Sequence, residues 1–239
     1  MPRFTLIVLG LLLSACVNAT GPVAPLGLSA PVPGSVPQAA VATFVDVVNR
    51  VEPVAEALCR ARARGVSCNL QIVVHPDPEL PPNAFQMQDP RGRPVVGFTL
   101  ALIADARNAD EIAFVLGHES AHHILGHIAK REQTAMAGAL VAAVLAQGAG
   151  ADAEAIRAAQ DLGAEVGART YSRDYELEAD ALGAEIALRA GFDPVRGAAF
   201  FDRLPDPGDQ FLGSHPPNAQ RKAIVARTVA ALKAQGIGG

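Results

Sequence analysis

The alternation of apolar and polar positions divides the chain into an irregular amino-terminal tail, a short extended region and a long succession of helices. Between residues 38 and 64, Phe44, Val45, Val48, Val51 and Leu58 fall roughly on one stripe at helical spacing. This predicts a first helix, kinked or split at Pro53, where proline removes a backbone donor. Residues 70–74 are apolar and β-branched without clean alternation, the pattern of a buried strand. The runs 83–88 and 94–99 flank Asp89-Pro90-Arg91-Gly92, which carries proline and glycine where a tight turn takes them, so a hairpin is predicted. A sheet of three or four strands is therefore expected, followed by helix almost to the end of the chain. Asn108, with Glu111 three residues on, forms a capping-box signal ahead of Ile112, Val115, Leu116, Ile124 and Ile128, predicting a helix that runs to about Arg131. Further helices are expected over 153–168, over 172–190 with Gly191 and Pro194 as stop signals, and from Pro217 or Asn218 to Ala234. The stretch 135–149 is small and apolar, interrupted by Gly138 and Gly148. A tightly packed internal helix is its favoured reading, beside a mobile element over a cleft or a membrane-touching hairpin. The fold class is α+β, mainly helical with a small sheet.

The first fifteen residues stand apart. A cationic start with Arg3 precedes the apolar run Phe4 to Leu13, too short to span a bilayer, and the small residues Ser14 and Ala15, which together predict a signal peptide over 1–15. Leu13-Ser14-Ala15-Cys16 resembles the bacterial lipobox, which implies cleavage before Cys16 and lipidation of its thiol; an ordinary secretory signal is the alternative. Residues 16–37 are rich in Ala, Pro, Gly and Val and uncharged, reading as an extended tether, with one domain over 38–239. Val17 after the cysteine, in place of aspartate, implies by the same resemblance a periplasmic protein anchored to the outer membrane. Cys59 and Cys68 are then left as a pair in an exported chain, which suggests a disulfide; two buried thiols are the alternative.

Composition narrows the partners. The chain has 239 residues, half of them hydrophobic, enough for a single core. Its formal net charge of -4 and scattered arginines offer no basic surface for nucleic acid. Tryptophan is absent and alanine abundant, which favours close-packed helices.

The chemistry concentrates at His118-Glu119-Ser120-Ala121-His122. Residues four apart share a helix face, so two imidazoles can address one ion with a glutamate beside it. Two such ligands and one carboxylate leave the fourth tetrahedral position of zinc open for water, and a neighbouring glutamate, here Glu119, can take that water's proton and pass it to a leaving amine. For the third ligand, Glu176 is the best candidate, with Asp180 one turn on along the same face as its supporting carboxylate. Glu178 should face elsewhere, and in isolation the segment would read as a solvated acidic face. His75 lies by the first strand; His123 and His127 read as packing or supporting residues rather than ligands.

With these motifs in order, the chain resembles the gluzincin family that contains HtpX, the BepA-type periplasmic proteases and the mitochondrial quality-control metallopeptidases. The resemblance rests on the segment from Asn108 to His127, on Ser172-Arg173 and Glu176 to Asp180, on Asn83-Ala84-Phe85, and on Ser214-His215-Pro216 with Arg221. It covers nearly all of the chain beyond the tether and implies a zincin-like metallopeptidase domain whose small sheet lies beside the active-site helix. It implies one Zn2+ per chain held by His118, His122 and Glu176, Glu119 as base, and Asp180 orienting a ligand histidine. A strand beside the cleft would receive substrate in extended form, with Asn83, Ala84 and Phe85 as the candidate substrate-binding residues. His215 has two readings by this resemblance, an inhibitory latch on the metal or an oxyanion stabiliser, against a plain helix-capping role; Arg221 would support that loop or the oxyanion. Against the BepA-type pattern, a member without the carboxy-terminal helical-repeat domain is expected. The expected activity is proteolysis of unfolded or misassembled proteins in the bacterial cell envelope; the alternative is a chaperone-like or scaffold lipoprotein that holds clients at the cleft.

Overall fold

The computed structural model describes residues 36–170, 172–206 and 216–238. The expected signal peptide, Cys16, most of the tether and His215 lie outside the described residues. Helix α1 (Gln38–Arg62) leads into strands β1 (Gln71–His75), β2 (Ala84–Gln88) and β3 (Pro94–Thr99). Seven helices follow: α2 (Leu100–Asp105), α3 (Ala109–Ile124), α4 (His127–Gly148), α5 (Ala153–Thr170), α6 (Ser172–Arg189), the single turn α7 (Pro194–Gly197) and α8 (Asn218–Ala234), with a 3-10 segment, Ala198–Arg203, before the last.

The sheet has three strands in the order β1-β3-β2, β3 running parallel to β1 and antiparallel to β2. The predicted hairpin forms because Asp89 organises its turn: Oδ1 accepts from the backbone N–H groups of Arg91 and Arg93, and the Asp89 carbonyl accepts from Gly92. Register pairs Phe85 with Gly97, and a Cβ at Gly97 would collide with the Phe85 ring, so that glycine is what lets the ring lie flat on the sheet. β3 is buried along its whole length, and β2 is left at the edge.

Helix α1 runs unbroken through Pro53 and buries Phe44, Val47, Val48, Val51, Ala55 and Cys59. Val47 thus takes the place expected for Val45, since the stripe winds with the helix toward Ala55 and Cys59. Phe44 meets Phe98 edge-on with ring centroids 5.1 Å apart, and burial of each such side chain contributes about 1.5–3 kcal/mol. Cys59 and Cys68 are joined in a disulfide that ties the end of α1 to the approach to β1.

Helix α3 is the axis of the domain. Its start matches the capping signal: Asn108 Oδ1 accepts from Glu111 N–H at 3.1 Å, and the Glu111 carboxylate returns to the N–H of Arg107 at 2.9 Å. Most of its circumference is buried; Val115, Glu119 and His122, spaced as one helical stripe, remain partly open. It does not continue to Arg131 as expected. Gly126 adopts φ +68°, a left-handed turn that L side chains disfavour, and the chain restarts as α4 in a new direction. A second glycine contact fixes α6 across α3: a Cβ at Gly117 would stand 2.6 Å from the Gly183 carbonyl oxygen, and one at Gly183 would stand 2.7 Å from His118 N. The two backbones therefore touch beside His118.

Helices α4 and α5 form an antiparallel hairpin, with Gly138 against the Gly163 carbonyl. The reading of 135–149 as a tightly packed internal helix is overturned, because Met136, Leu140, Val141, Val144 and Leu145 are all at least 59% exposed. Small residues there pack only the α5-facing side, and the larger ones point outward. Among the described residues no helix is long and apolar enough to cross a membrane.

If the α3–α6 crossing sets the domain, Gly183→Ala should cost roughly 1–3 kcal/mol by forced separation of packed backbones. Denaturant unfolding of the variant against wild type measures this, and equal midpoints would show that the crossing tolerates the methyl group.

Candidate metal centre

Three side chains from two helices converge. His118 and His122 on α3 present Nε2 atoms 3.0 Å apart, and Glu176 on α6 brings Oε2 to 3.5 Å from the first and Oε1 to 3.4 Å from the second. Donor atoms bound at about 2.0–2.1 Å to a tetrahedral zinc lie roughly 3.3 Å from one another, so the separations match one ion with three protein ligands. Two imidazoles and a carboxylate are also the donor types zinc takes. Among the described residues these three form the cluster able to hold a metal.

The ligands are held by a buried charge network. Asp180, fully buried one turn beyond Glu176, places Oδ1 2.9 Å from His118 Nδ1. Arg221 on α8 grips the same carboxylate twice, Nε on Oδ2 and Nη2 on Oδ1, both at 2.7 Å, and also approaches Glu176 Oε2 at 3.2 Å. Its guanidinium lies 4.0 Å from the centre of the Phe201 ring, which walls it from solvent. Burial disfavours charge on His118, but hydrogen bonds to Asp180 and Glu176 outweigh it and push its pKa up to about 10 in the absence of metal. The site is thus built for a cation, proton or metal.

The remaining histidines separate by environment. His123 is buried and donates from Nε2 to the Ser67 carbonyl, 2.7 Å away; burial lowers its pKa despite that contact. It fastens α3 to the loop beside the disulfide. His127 packs with Nδ1 2.9 Å from His122 Nδ1, and burial, followed by the neighbouring His122, pushes its pKa down to about 4. His75 stays by its strand, where Nδ1 accepts from Asp77 N–H.

Glu119 lines a cleft of about 460 Å3 with His118, His122 and Glu176. One wall is the edge strand: Asn83, Ala84 and Gln86 face the cleft, while Phe85 lies over Gly97 and is not among the lining residues. The opposite wall is apolar, with Phe114, Val115, Phe200, Phe201 and Leu204. Of the residues singled out from sequence, His118, Glu119, His122, Glu176, Asp180 and Arg221 are brought together. Arg221 is occupied with Asp180 and Glu176. Sequence reasoning missed Gly117 and Gly183, Asn218, and Arg203. Asn218 donates to the carbonyls of Phe201 and Leu204 and so positions the apolar wall. Arg203 holds Glu111 at the start of α3. An available signal was the glycine on each ligand-bearing helix close to a proposed ligand.

The sequence profile of peptidase family M48 matches residues 46–228. The chain is similar to the beta-barrel assembly-enhancing protease of Vibrio cholerae, 36% identical over 126 residues, which make up 48% of this chain and 25% of that protein. It is also similar to the mitochondrial metalloendopeptidase OMA1 of Arabidopsis thaliana, 30% identical over 149 residues, covering 61% of this chain and 29% of that one. The metalloprotease LoiP of Escherichia coli is 30% identical over 125 residues, half of this chain and 49% of its own length. The chain thus spans between a quarter and a half of the length of these relatives.

Since the metal-free pocket keeps a proton on His118 up to about pH 10, metal entry at pH 8 must expel it. Calorimetric titration with Zn2+ in buffers of different ionisation enthalpy should report about one proton released from this group per ion bound. A heat of binding independent of the buffer would contradict the assignment.

Proposed function

The chain belongs to peptidase family M48, and on that premise we propose that it is a zinc-dependent endopeptidase of the bacterial cell envelope that hydrolyses unfolded or misassembled proteins. The observation that carries the reading is the approach of His118 Nε2, His122 Nε2 and a Glu176 carboxylate to within tetrahedral distances, with Glu119 in the same cleft.

His118, His122 and Glu176 would hold the ion. Zinc supplies Lewis acidity toward a carbonyl oxygen and lowers the pKa of water it binds toward about 7. The chain's own groups do the rest. Glu119 accepts the proton of the attacking water and returns it to the departing amine nitrogen, so one carboxylate serves as base and then acid. Asp180, clamped by Arg221, holds the His118 ring by its Nδ1, which leaves Nε2 directed at the ion. The Arg221 guanidinium also limits how far Glu176 can turn.

Substrate recognition follows from the edge strand. Edge-strand backbone groups can pair with an extended peptide, and β2 runs along the cleft with Asn83, Ala84 and Gln86 facing it. Such pairing reads backbone rather than sequence, so it favours any polypeptide whose chain is locally unfolded. The apolar wall of Phe114, Phe200, Phe201 and Leu204 would accept a hydrophobic side chain next to the scissile bond. Support for an envelope location comes from the lipobox-like Leu13-Ser14-Ala15-Cys16, the Cys59–Cys68 disulfide, which belongs in an oxidising compartment, and the relative named for beta-barrel assembly.

Glu119→Gln separates catalysis from holding. The variant should retain one zinc per chain and lose cleavage of an unfolded casein-type substrate by a factor of roughly 10²–10⁴, followed by gel electrophoresis. Undiminished cleavage by this variant, or no cleavage by the zinc-loaded wild type and by His215→Ala, would refute the proteolytic reading.

A further inference from the structure

The two ligand histidines are backed differently. His118 meets a carboxylate directly through Nδ1, at Asp180. The Nδ1 of His122 faces instead the ring of His127, nitrogen to nitrogen, at 2.9 Å. Two ring nitrogens at that distance share a single proton, so one must donate and the other accept. The Nε2 of His122 is the atom turned toward His118 and Glu176, and an imidazole that gives Nε2 to a metal keeps its proton on Nδ1. His122 is then the donor and His127 Nδ1 the acceptor. A neutral His127 accepting at Nδ1 carries its own proton on Nε2, and that atom lies 3.2 Å from Glu178 Oε2. Every proton in the chain is accounted for, and it ends on a negative charge.

We propose that His127 and Glu178 are positioning residues of the metal centre, forming a relay from the Glu178 carboxylate through His127 to His122 that fixes the latter's tautomer and ring plane. The inference rests on the metal-site reading above. The surroundings of His127 hold it for this task. Its side chain is 5% exposed, and the Tyr175 ring stacks on it at 4.7 Å with an interplanar angle of 20°. Lys130 lies 3.8 Å from Glu178 and 5.5 Å from the centre of the Tyr175 ring, closing the outer side. The break at Gly126 makes the contact possible. Five residues along a continuous helix place a side chain about 140° round from its partner, whereas the left-handed turn redirects the chain and returns His127 to His122. Glu178, which points away from the ligand face of α6, thereby acquires a role through another residue.

The relay also differs in charge from the arrangement at His118. A carboxylate hydrogen-bonded directly to each ligand would place three negative groups around one ion. Interposing a neutral imidazole moves one of them a ring's width outward, leaving the donated hydrogen bond but weakening the field.

The test measures zinc affinity by chelator competition for wild type, His127→Phe, His127→Asn and Glu178→Gln, with nitrogen-15 NMR of the histidine rings in the zinc-loaded wild type. Phenylalanine keeps the stack on Tyr175 and removes the acceptor; it should weaken zinc binding roughly tenfold to a hundredfold. Asparagine can accept through Oδ1 and donate through its amide, and it should recover most of that loss. Glu178→Gln should give a smaller loss. The wild-type spectrum should show His127 protonated at Nε2 and bare at Nδ1. Failure of the wild type to bind zinc would sink the metal site and the relay together. Zinc binding by wild type with unchanged affinity in all three variants, or a His127 protonated at Nδ1, would overturn the relay alone. The NMR result and Glu178→Gln decide the matter if His127→Phe does not fold.

Discussion

Everything at the metal centre depends on two helices whose backbones touch. Gly117 precedes His118 directly, and Gly183 follows Asp180 by nearly one turn of α6. Neither position has room for a methyl group. The crossing sets the separation of α3 and α6 at the smallest value side-chain-free contact allows, and Glu176 can reach the Nε2 atoms of both histidines only from a helix held that near. Dispersion in such contacts is small per atom but leaves no slack, because packed backbone is far less deformable than interleaved side chains. The metal site is in this sense a by-product of a tight helix crossing.

Such a site carries a cost in buried charge. Asp180, Arg221 and His118 are withdrawn from water and Glu176 largely so, and isolated charges there would be strongly unfavourable. They persist because each group has several partners: Arg221 binds both carboxylates, and Asp180 is shared between Arg221 and His118. A network of this kind adds little net stability over an apolar core, but it leaves each ligand one orientation. A second such anchor, Arg203 with Glu111, sits at the start of α3 and ties its first turn to the 3-10 segment that lines the cleft with Phe200 and Phe201. Two arginine–carboxylate pairs thus bear on α3: Arg203 holds Glu111 in its first turn, and Arg221 holds Asp180, which backs His118 further along.

Much of this was legible in the sequence, for definable reasons. The hairpin was marked by Asp89, Pro90 and Gly92, whose turn chemistry is local. The start of α3 was marked by Asn108 and Glu111, again a local signal. His118 with His122, and Glu176 with Asp180, were legible as pairs because helical periodicity puts each pair on one face, and the family resemblance joined the two pairs into one candidate site. What escaped was what depends on contact between distant elements. Gly126 carries no signature separating a tolerated helix glycine from a left-handed stop, so α3 was expected to run to Arg131, and His127 could not be placed against His122. The stretch 135–149 looked internal because its alanines and glycines pack well, but whether its leucines and valines meet anything is decided by the rest of the fold, and here they do not. The placement of Phe85 on the sheet rather than in the cleft followed from strand register, which no single strand reveals.

The helical hairpin of α4 and α5 interrupts the chain between one ligand pair and the third ligand, yet it leaves and re-enters the domain at nearly the same place, since its two arms are antiparallel and similar in length. Closing a loop becomes only slowly harder as the loop grows, and a prefolded excursion holds its own ends together. Beyond the first turn of α4, where His127 and Lys130 sit, the arms can gain or lose whole helical turns without shifting His122 relative to Glu176. The excursion is therefore an evolutionary free variable. Its length and outward face can be reshaped for a new setting while the chemistry at its base stays constant, and the exposed Met136, Leu140, Val141, Val144 and Leu145 of α4 are one setting of that variable.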